Sequence, residues 1–516
     1  MADAIEAAIA ALPRAYPGPG GAAAVLREGR VLARHAWGFA NAERRIPFTA
    51  KTLFRVCSIT KQFTCAALLD ACPDMSVLDG GMRAALPRLE GAVPSVSHLA
   101  HNQSGLRDYW AVAMLHGSPV EAPFGDAEAA RVIGGTRSLH FAPGTRYSYV
   151  NQNYRLISDL LEARTGRGFA EILGGVTAQA EMETAFLAAD TRAMPDGTEG
   201  YEGSVAAGFR VAENRILWTG DAGLGASLDD MIAWERFIDA GFGDAAGLVG
   251  RLHAPAHFAC GTPAAYGFGL RRAEAFGREA IGHGGALRGW RSHRLYVPAE
   301  RVSVVVLFNH MADAHAAALD LLAAALGVPP AAPGQRDVPP GLAGAWLEPE
   351  TQLVARIDSA GPGRVRLRFG HSAEVLEVQA DASVGNGATM LRMTGDGLRM
   401  ERPVENQFAL LQPRAGDPRA DIAGRYRCAE LEAELTIADA GGVLYGAFSG
   451  FLGQGRMEAL EPVAEDIWAL PCPRALDHTP PGDWTLLVRR DAAGRVAGVT
   501  LGCWLARRLA YARVGA

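Results

Sequence analysis

The chain has 516 residues, with 50 basic and 56 acidic side chains and a formal net charge of -6, a length that suits about three domains at roughly 150 residues each. Its 49% hydrophobic and 21% charged content is that of an ordinary globular protein. The absence of a basic run, or of a basic patch interleaved with aromatics, argues against nucleic acid as a partner. The longest apolar run, Ala316 to Leu326, is too short for a membrane span. Seven cysteines, an odd number without repeated spacing, fit reduced thiols in the cytoplasm better than a disulfide framework. No Cys/His cluster has zinc spacing, so no metal is expected.

Met1 to Leu12 is Ala-rich, carries Asp3 and Glu6, and lacks a basic leader region, so it reads as a first helix of the mature chain. Ala22 to Asn41 alternates and turns at Glu28-Gly29, which predicts a hairpin. Ser58 to Ala71 reads as a helix with Ile59, Phe63, Ala67 and Leu68 near one face. From about Pro73 to Phe268 helices and loops mix, and then Arg291 to Val297 and Val302 to Asn309 read as strands. Strands at both ends with helices between them predict an α+β domain over residues 1–330, its termini sharing one antiparallel sheet.

Val328 to Gly341 is rich in Pro and Gly and reads as a linker. Beyond it come short alternating strands. LAGAW from Leu342 and IAGRY from Ile422 echo one another at a displacement of 80 residues, and Glu350 meets Glu430 and Ile357 meets Ile437 at that same displacement. The echo predicts two related β-domains, each a barrel or closed sheet, over 331–418 with the linker and over 419–516.

Ser58-Ile59-Thr60-Lys61 sets a serine and a lysine at i and i+3 on one helical face, so that hydroxyl and amine can meet. The helix start adds free backbone N–H groups and a positive dipole end suited to an oxyanion. The pattern is weak by itself, but of the 50 basic residues just two, Lys51 and Lys61, are lysines. Lysine can give up its proton in a suitable environment and arginine effectively cannot, so a retained lysine points to proton chemistry. Tyr149-Val150-Asn151 offers a phenol to relay a proton and an amide to hold a substrate carbonyl; alone it reads as a core tyrosine and a turn asparagine. His283-Gly284-Gly285 precedes a strand. Its glycines would let a substrate backbone come close, the N–H of Ala286 could complete an oxyanion hole, and His283 could polarise the site. Arg291, just beyond, could pair with a carboxylate. Cys57, beside Ser58, reads as a packing residue.

In this order the three motifs resemble the serine β-lactamase and penicillin-binding-protein superfamily, whose signature opens with S-x-x-K. FRVCSITK, LAHNQSGLRDY (Leu99 to Tyr109), FAPGTRYSYVNQNY (Phe141 to Tyr154), GLGASLDDM, YGFGL and GHGGALRGW follow that superfamily's sequence of segments over residues 1–330. His283 stands where commoner members carry the lysine of K-T-G; H-x-G occurs in esterase-like members and in D-aminopeptidases. With two β-domains and PRALDHTPPGDW (Pro473 to Trp484), the whole chain resembles the bacterial D-aminopeptidase family, in which a loop from the last β-domain enters the cleft. The resemblance implies that the segment Pro473, Arg474, Ala475, Leu476, Asp477, His478, Thr479, Pro480, Pro481, Gly482 and Asp483 sets specificity, and that Asp477 helps bind the substrate's free amino group. It also implies a homodimer acting on small peptides or amides with a free N-terminal D-residue, and it allows inhibition by β-lactams. From the residues alone the prolines restrict this loop, a carboxylate there could pair with an ammonium, and Asp477 otherwise reads as a solvated aspartate.

The expected chemistry is acyl transfer through a covalent intermediate, with Ser58 as nucleophile, Lys61 taking its proton, Tyr149 and His283 serving the leaving amine, and the N–H groups of Ser58 and Ala286 facing the oxyanion. Whether Lys61 or Tyr149 is the formal base stays open, and no cofactor is required. The rival readings are an esterase, a D,D-peptidase or β-lactamase, and a penicillin-binding sensor without turnover. The intact set of Ser58, Lys61, Tyr149 and Asn151 argues against the last.

Overall fold

The computed structural model describes residues 2–329, 336–476 and 480–515. Strands Gly20–Arg27 and Arg30–Asn41 form the expected hairpin, and both turn residues, Glu28 and Gly29, have positive φ (52° and 71°), the two-residue turn that matches strand twist. Val302–Phe308 pairs with the first of these strands on one side and with Trp290–Val297 on the other, so Val306 lies opposite both Ala23 and His293. The sheet thus joins the two ends of the first 330 residues, and it continues through Arg278–Leu287 and Leu270–Ala275 to eight antiparallel strands.

Alternation along the first strand decides what covers each face. Ala23 and Val25 pack with Val304 and Val306 under the helices Ala2–Ala15 and Ala314–Leu326. Ala22, Ala24 and Leu26 point the other way, into a larger core with the helices of the middle of the chain. Thr60–Ala71 runs through that core, with Phe63 and Leu68 fully buried.

The rest of the chain is antiparallel β-structure. Eight strands from Gly344–Glu348 to Gln407–Arg414 close into a barrel, the last pairing with the first. A second sheet runs from Gly424–Cys428 to Ala506–Arg513, again with last strand on first. The 80-residue echo is structural: Gly344 pairs with Ile357 and Gly424 with Ile437. Trp346 Nε1 donates to the Leu342 carbonyl as the Tyr426 hydroxyl donates to that of Ile422.

The second sheet stays open where the first closes. In the barrel Arg364–Arg368 pairs with Glu374–Val378 across a short turn. In the second unit the excursion after Val443–Gly450 folds back, and Gly453–Gln454 and Glu458–Ala459 occupy that strand's edge. The same excursion meets the first unit, with Phe451 tilted against His116, ring centroids 4.4 Å apart, and Leu452 N–H on the His116 carbonyl. Ala111 and Leu115 of the helix Tyr109–Leu115 share an apolar core with the β-units, and Leu476 of the last unit is buried in the core of the first.

Candidate active site

Ser58 sits in a single 3-10 turn, Cys57–Ile59, which runs directly into the helix Thr60–Ala71. Cys57 adopts φ 56°, a conformation uncommon outside glycine. Three contacts hold the turn: Thr60 Oγ1 donates to the Cys57 carbonyl at 2.6 Å, Ser292 Oγ donates to that of Val56 at 2.8 Å, and the Val56 N–H reaches the Leu224 carbonyl. The turn is pressed against the strand Arg278–Leu287. A Cβ on Gly285 would lie 2.4 Å from the Val56 oxygen and 2.9 Å from Cys57 Cβ. Gly285 therefore makes room for the serine's own turn, whereas the sequence suggested room for a substrate.

Among the described residues, Lys61 Nζ has three oxygen neighbours: Ser58 Oγ at 3.1 Å, Asn151 Oδ1 at 2.9 Å and the Asp221 carbonyl at 2.8 Å. Lys61 is fully buried, and its Nζ lies 4.8 Å from the Tyr149 ring centroid. Asn151 is engaged at both ends of its amide, because Nδ2 donates to Asp108 Oδ2 at 2.9 Å while Oδ1 faces the lysine.

The Tyr149 phenol faces Ser58, and burial pushes it well above the ordinary value. His283 Nε2 is 3.0 Å from the Tyr266 hydroxyl and Nδ1 faces the Gly284 carbonyl. Tyr154, whose hydroxyl reaches the Ala100 carbonyl, stands 3.2 Å behind Tyr266. Burial, then the nearby Lys61, drive His283 down to about 3, so the ring is neutral at ordinary pH. Its centroid is 6.0 Å from that of Tyr149. Arg291, opposite Ala286 on the next strand, donates Nη1 to the carbonyls of Leu287 and Trp290.

The proline-bearing loop is pinned at both ends. Arg474 Nη2 reaches Glu202 and Glu121 of the first unit, and Ala475 and Leu476 are buried. Pro480 and Pro481 lead to Gly482 (φ 94°), where a Cβ would lie 2.8 Å from the Gly370 carbonyl of the barrel; Asp483 pairs with Arg356. Pro473 is exposed. Asp477, His478 and Thr479 lie outside the described residues.

Residues 5–328 match the family described as Beta-lactamase, and residues 335–512 match D-aminopeptidase, domain B. The chain is 59% identical to the D-aminopeptidase of Gluconobacter oxydans (strain 621H), over 99% of this chain and 98% of that one. It belongs to the D-aminopeptidase family. The D-aminopeptidase of Brucella canis is 47% identical over the same shares. Members of the D-aminopeptidase family are enzymes, hydrolases on a β-lactamase fold. The octameric penicillin-binding protein homologue from Pyrococcus abyssi is similar in fold, with a TM-score of 0.52 at 19% identity, over 79% of this chain and 99% of that one. Among the described residues no helix is long and apolar enough to cross a membrane, and no group of three or more His, Cys, Asp or Glu could hold a metal.

Two contributors escaped the sequence reading. Asp108 was inside a quoted segment without being singled out; an acidic residue just ahead of Tyr109-Trp110 was the available signal. Asp221 acts on Lys61 through its backbone carbonyl, which no side-chain pattern reveals.

Proposed function

We propose that the chain is a serine hydrolase that releases N-terminal D-residues, small ones such as D-alanine, from peptides, amides and esters through an acyl-enzyme on Ser58. The observation that carries this is the set of neighbours around Lys61 Nζ. The Asn151 and Asp221 oxygens are carbonyl-type and can only accept. A neutral amine has two N–H bonds; those two acceptors take both, and the lone pair is left for the Ser58 hydroxyl. Lys61 is thereby the base that deprotonates Ser58 as its oxygen attacks the substrate carbonyl. Tyr149, held protonated by burial, passes its proton to the leaving amine and is reprotonated with the one Lys61 took from Ser58, and His283 acts behind it through its fixed neutral ring.

For the oxyanion we assign the N–H groups of Ser58 and Ala286. The strand Arg278–Leu287 has its outer neighbour as far as Gly282, so the stretch that follows is open on one side to the cleft. Arg291, bound to two carbonyls, stiffens that strand end. Asp477 is assigned to the substrate ammonium. The flanks support this: Leu476 is buried in the core of the first unit, and Gly482 and Asp483 are anchored on the barrel. A homodimer, and acylation by β-lactams at the same serine, are part of the same proposal.

The test is release of p-nitroaniline from D-alanine and L-alanine p-nitroanilide, with nitrocefin alongside, for the parent and Asp477→Asn. Turnover of the D-substrate alone, strongly reduced in Asp477→Asn, is expected. Turnover of activated esters without any peptide or amide cleavage would make it an esterase. Equal hydrolysis of D-alanine amide by both proteins would show that the amine is held elsewhere.

A further inference from the structure

We propose that Asp108 is a positioning residue of this reaction: it fixes the direction of the Asn151 amide and hence of Lys61, and the C-terminal β-unit holds it there. The proposal rests on the reading of Lys61 as the base. Asp108 is fully buried and, besides the helical bond from the Val112 N–H to its carbonyl, makes four hydrogen bonds. Oδ2 accepts both the backbone N–H of Asn151, at 2.7 Å, and its Nδ2, at 2.9 Å. Oδ1 accepts the Trp110 N–H at 3.0 Å and so caps the helix Tyr109–Leu115.

A carboxylate can only accept hydrogen bonds. It therefore selects the NH₂ end of the Asn151 amide, and the oxygen end is left for Lys61. Were the amide turned over, Nδ2 would meet Nζ, donor against donor, and the lone pair would no longer be directed at Ser58.

The fourth bond comes from the far end of the chain, where the Asp108 N–H donates to the Leu505 carbonyl at 3.0 Å. The turn that bears Leu505 is fastened on both sides. Arg107 Nε donates to the Arg507 carbonyl at 3.3 Å, and Arg508 Nη2 donates to that of His140 at 2.8 Å. The last β-unit is thus part of the support of the lysine, independently of its specificity loop.

Protonation of Asp108 would undo the selection, since a carboxylic acid offers a donor. Burial pushes Asp108 up to about 6, against the hydrogen bonds from Asn151 and Trp110. Of the titratable neighbours that sense it, Tyr109, Tyr149 and Cys503 are neutral in that range because burial raises them. The Arg107 guanidinium is turned away to Glu430, at 2.8 Å. Asp108 is therefore the group expected to titrate in this network near pH 6.

The chain's two lysines make this measurable. With lysine labelled with carbon-13 at Cε, the full-length protein gives one signal from buried Lys61 and one from exposed Lys51. The Lys61 signal should show an inflection near pH 6, absent from Lys51 and absent from Asp108→Asn. In that variant kcat for D-alanine p-nitroanilide should fall by about tenfold or more with KM within about twofold, since positioning at the reacting centre is what is lost. The acid limb of kcat should lose its component near pH 6. A Lys61 signal in the parent without that inflection overturns the proposal, even if Asp108→Asn fails to fold. So does an Asp108→Asn enzyme with parental kcat and pH profile. Lys61→Ala is the control: if it still acylates, the reading of the base has failed rather than the role of Asp108.

Discussion

Arg474 of the last β-unit reaches across to Glu202 of the first, Nη2 to Oε2 at 3.5 Å, and joins the fully buried Arg288, which pairs with both Glu202 and Glu121. The Arg288 bonds outweigh burial and bring Glu202 down to about 2. Arg474 is a peripheral member, one-third exposed, of a network that stands without it. Its pair is worth about 1 kcal/mol or less. Arg474→Ala should therefore leave the melting temperature nearly unchanged. It frees one end of the loop, so kcat/KM for D-alanine p-nitroanilide should drop several-fold while p-nitrophenyl acetate hydrolysis is kept. A parallel loss on both substrates would show that Arg474 serves the whole site rather than the loop.

Ser58→Ala should abolish covalent acylation, followed as a mass increase on intact protein with an activated D-alanyl ester. Lys61→Arg should be equally inert, by roughly three orders of magnitude or more in kcat, because a guanidinium keeps its proton. A Lys61→Arg enzyme within tenfold of the parent would remove Lys61 from the proton path.

Five histidines, four of them buried and His101 half-buried, predict acid instability. Burial takes His253 and His283 down to about 3, and His101, His116 and His310 down to about 4. These folded values lie below the unfolded value of about 6.5, so the unfolded chain binds the extra protons. The contribution is fully present above about pH 6.5 and is lost as pH falls toward 4, at up to about 1.4 kcal/mol per pH unit for each ring. Calorimetry between about pH 7.5 and 4.5 should show a falling melting temperature; a flat profile would mean that these rings find acidic partners when protonated.

Thiol chemistry should fall on Cys260. Cys57 is fully buried and burial raises its thiol to about 12, whereas Cys260 is exposed and hydrogen bonds from Thr262 lower it. Only the thiolate reacts appreciably. Iodoacetamide should label Cys260 first with activity retained, and Cys260→Ala should resist. Labelling at Cys57 in active protein would mean that its turn opens.

The hairpin, the shared sheet and the β-repeat were legible because each is a matter of period or composition. Ser58, Lys61, Tyr149 and Asn151 were legible as a spacing, and the structure brings them together. Gly285 was noticed, but a glycine announces close approach without saying of what; Val56 and Cys57, more than two hundred residues away, are what come close in the structure. Closure of the second sheet was beyond the sequence for a similar reason. Whether the strand Val443–Gly450 meets Glu461–Ala464 depends on what the intervening ten residues do, and they are drawn back to pair with it and to meet His116.

Arg107 and Arg507 touch although 400 residues separate them, and Asp108 and Leu505 are bonded beside them. A ribosome makes the chain from the N-terminus, so Ser58 and Lys61 emerge long before the carbonyl that closes their support. A nascent chain would carry the nucleophile and its lysine through most of translation without the last brace of the lysine's network, and competence would come with the final turn of the final sheet. A chain that stopped before Leu505 would bear every reactive side chain and yet lack that brace.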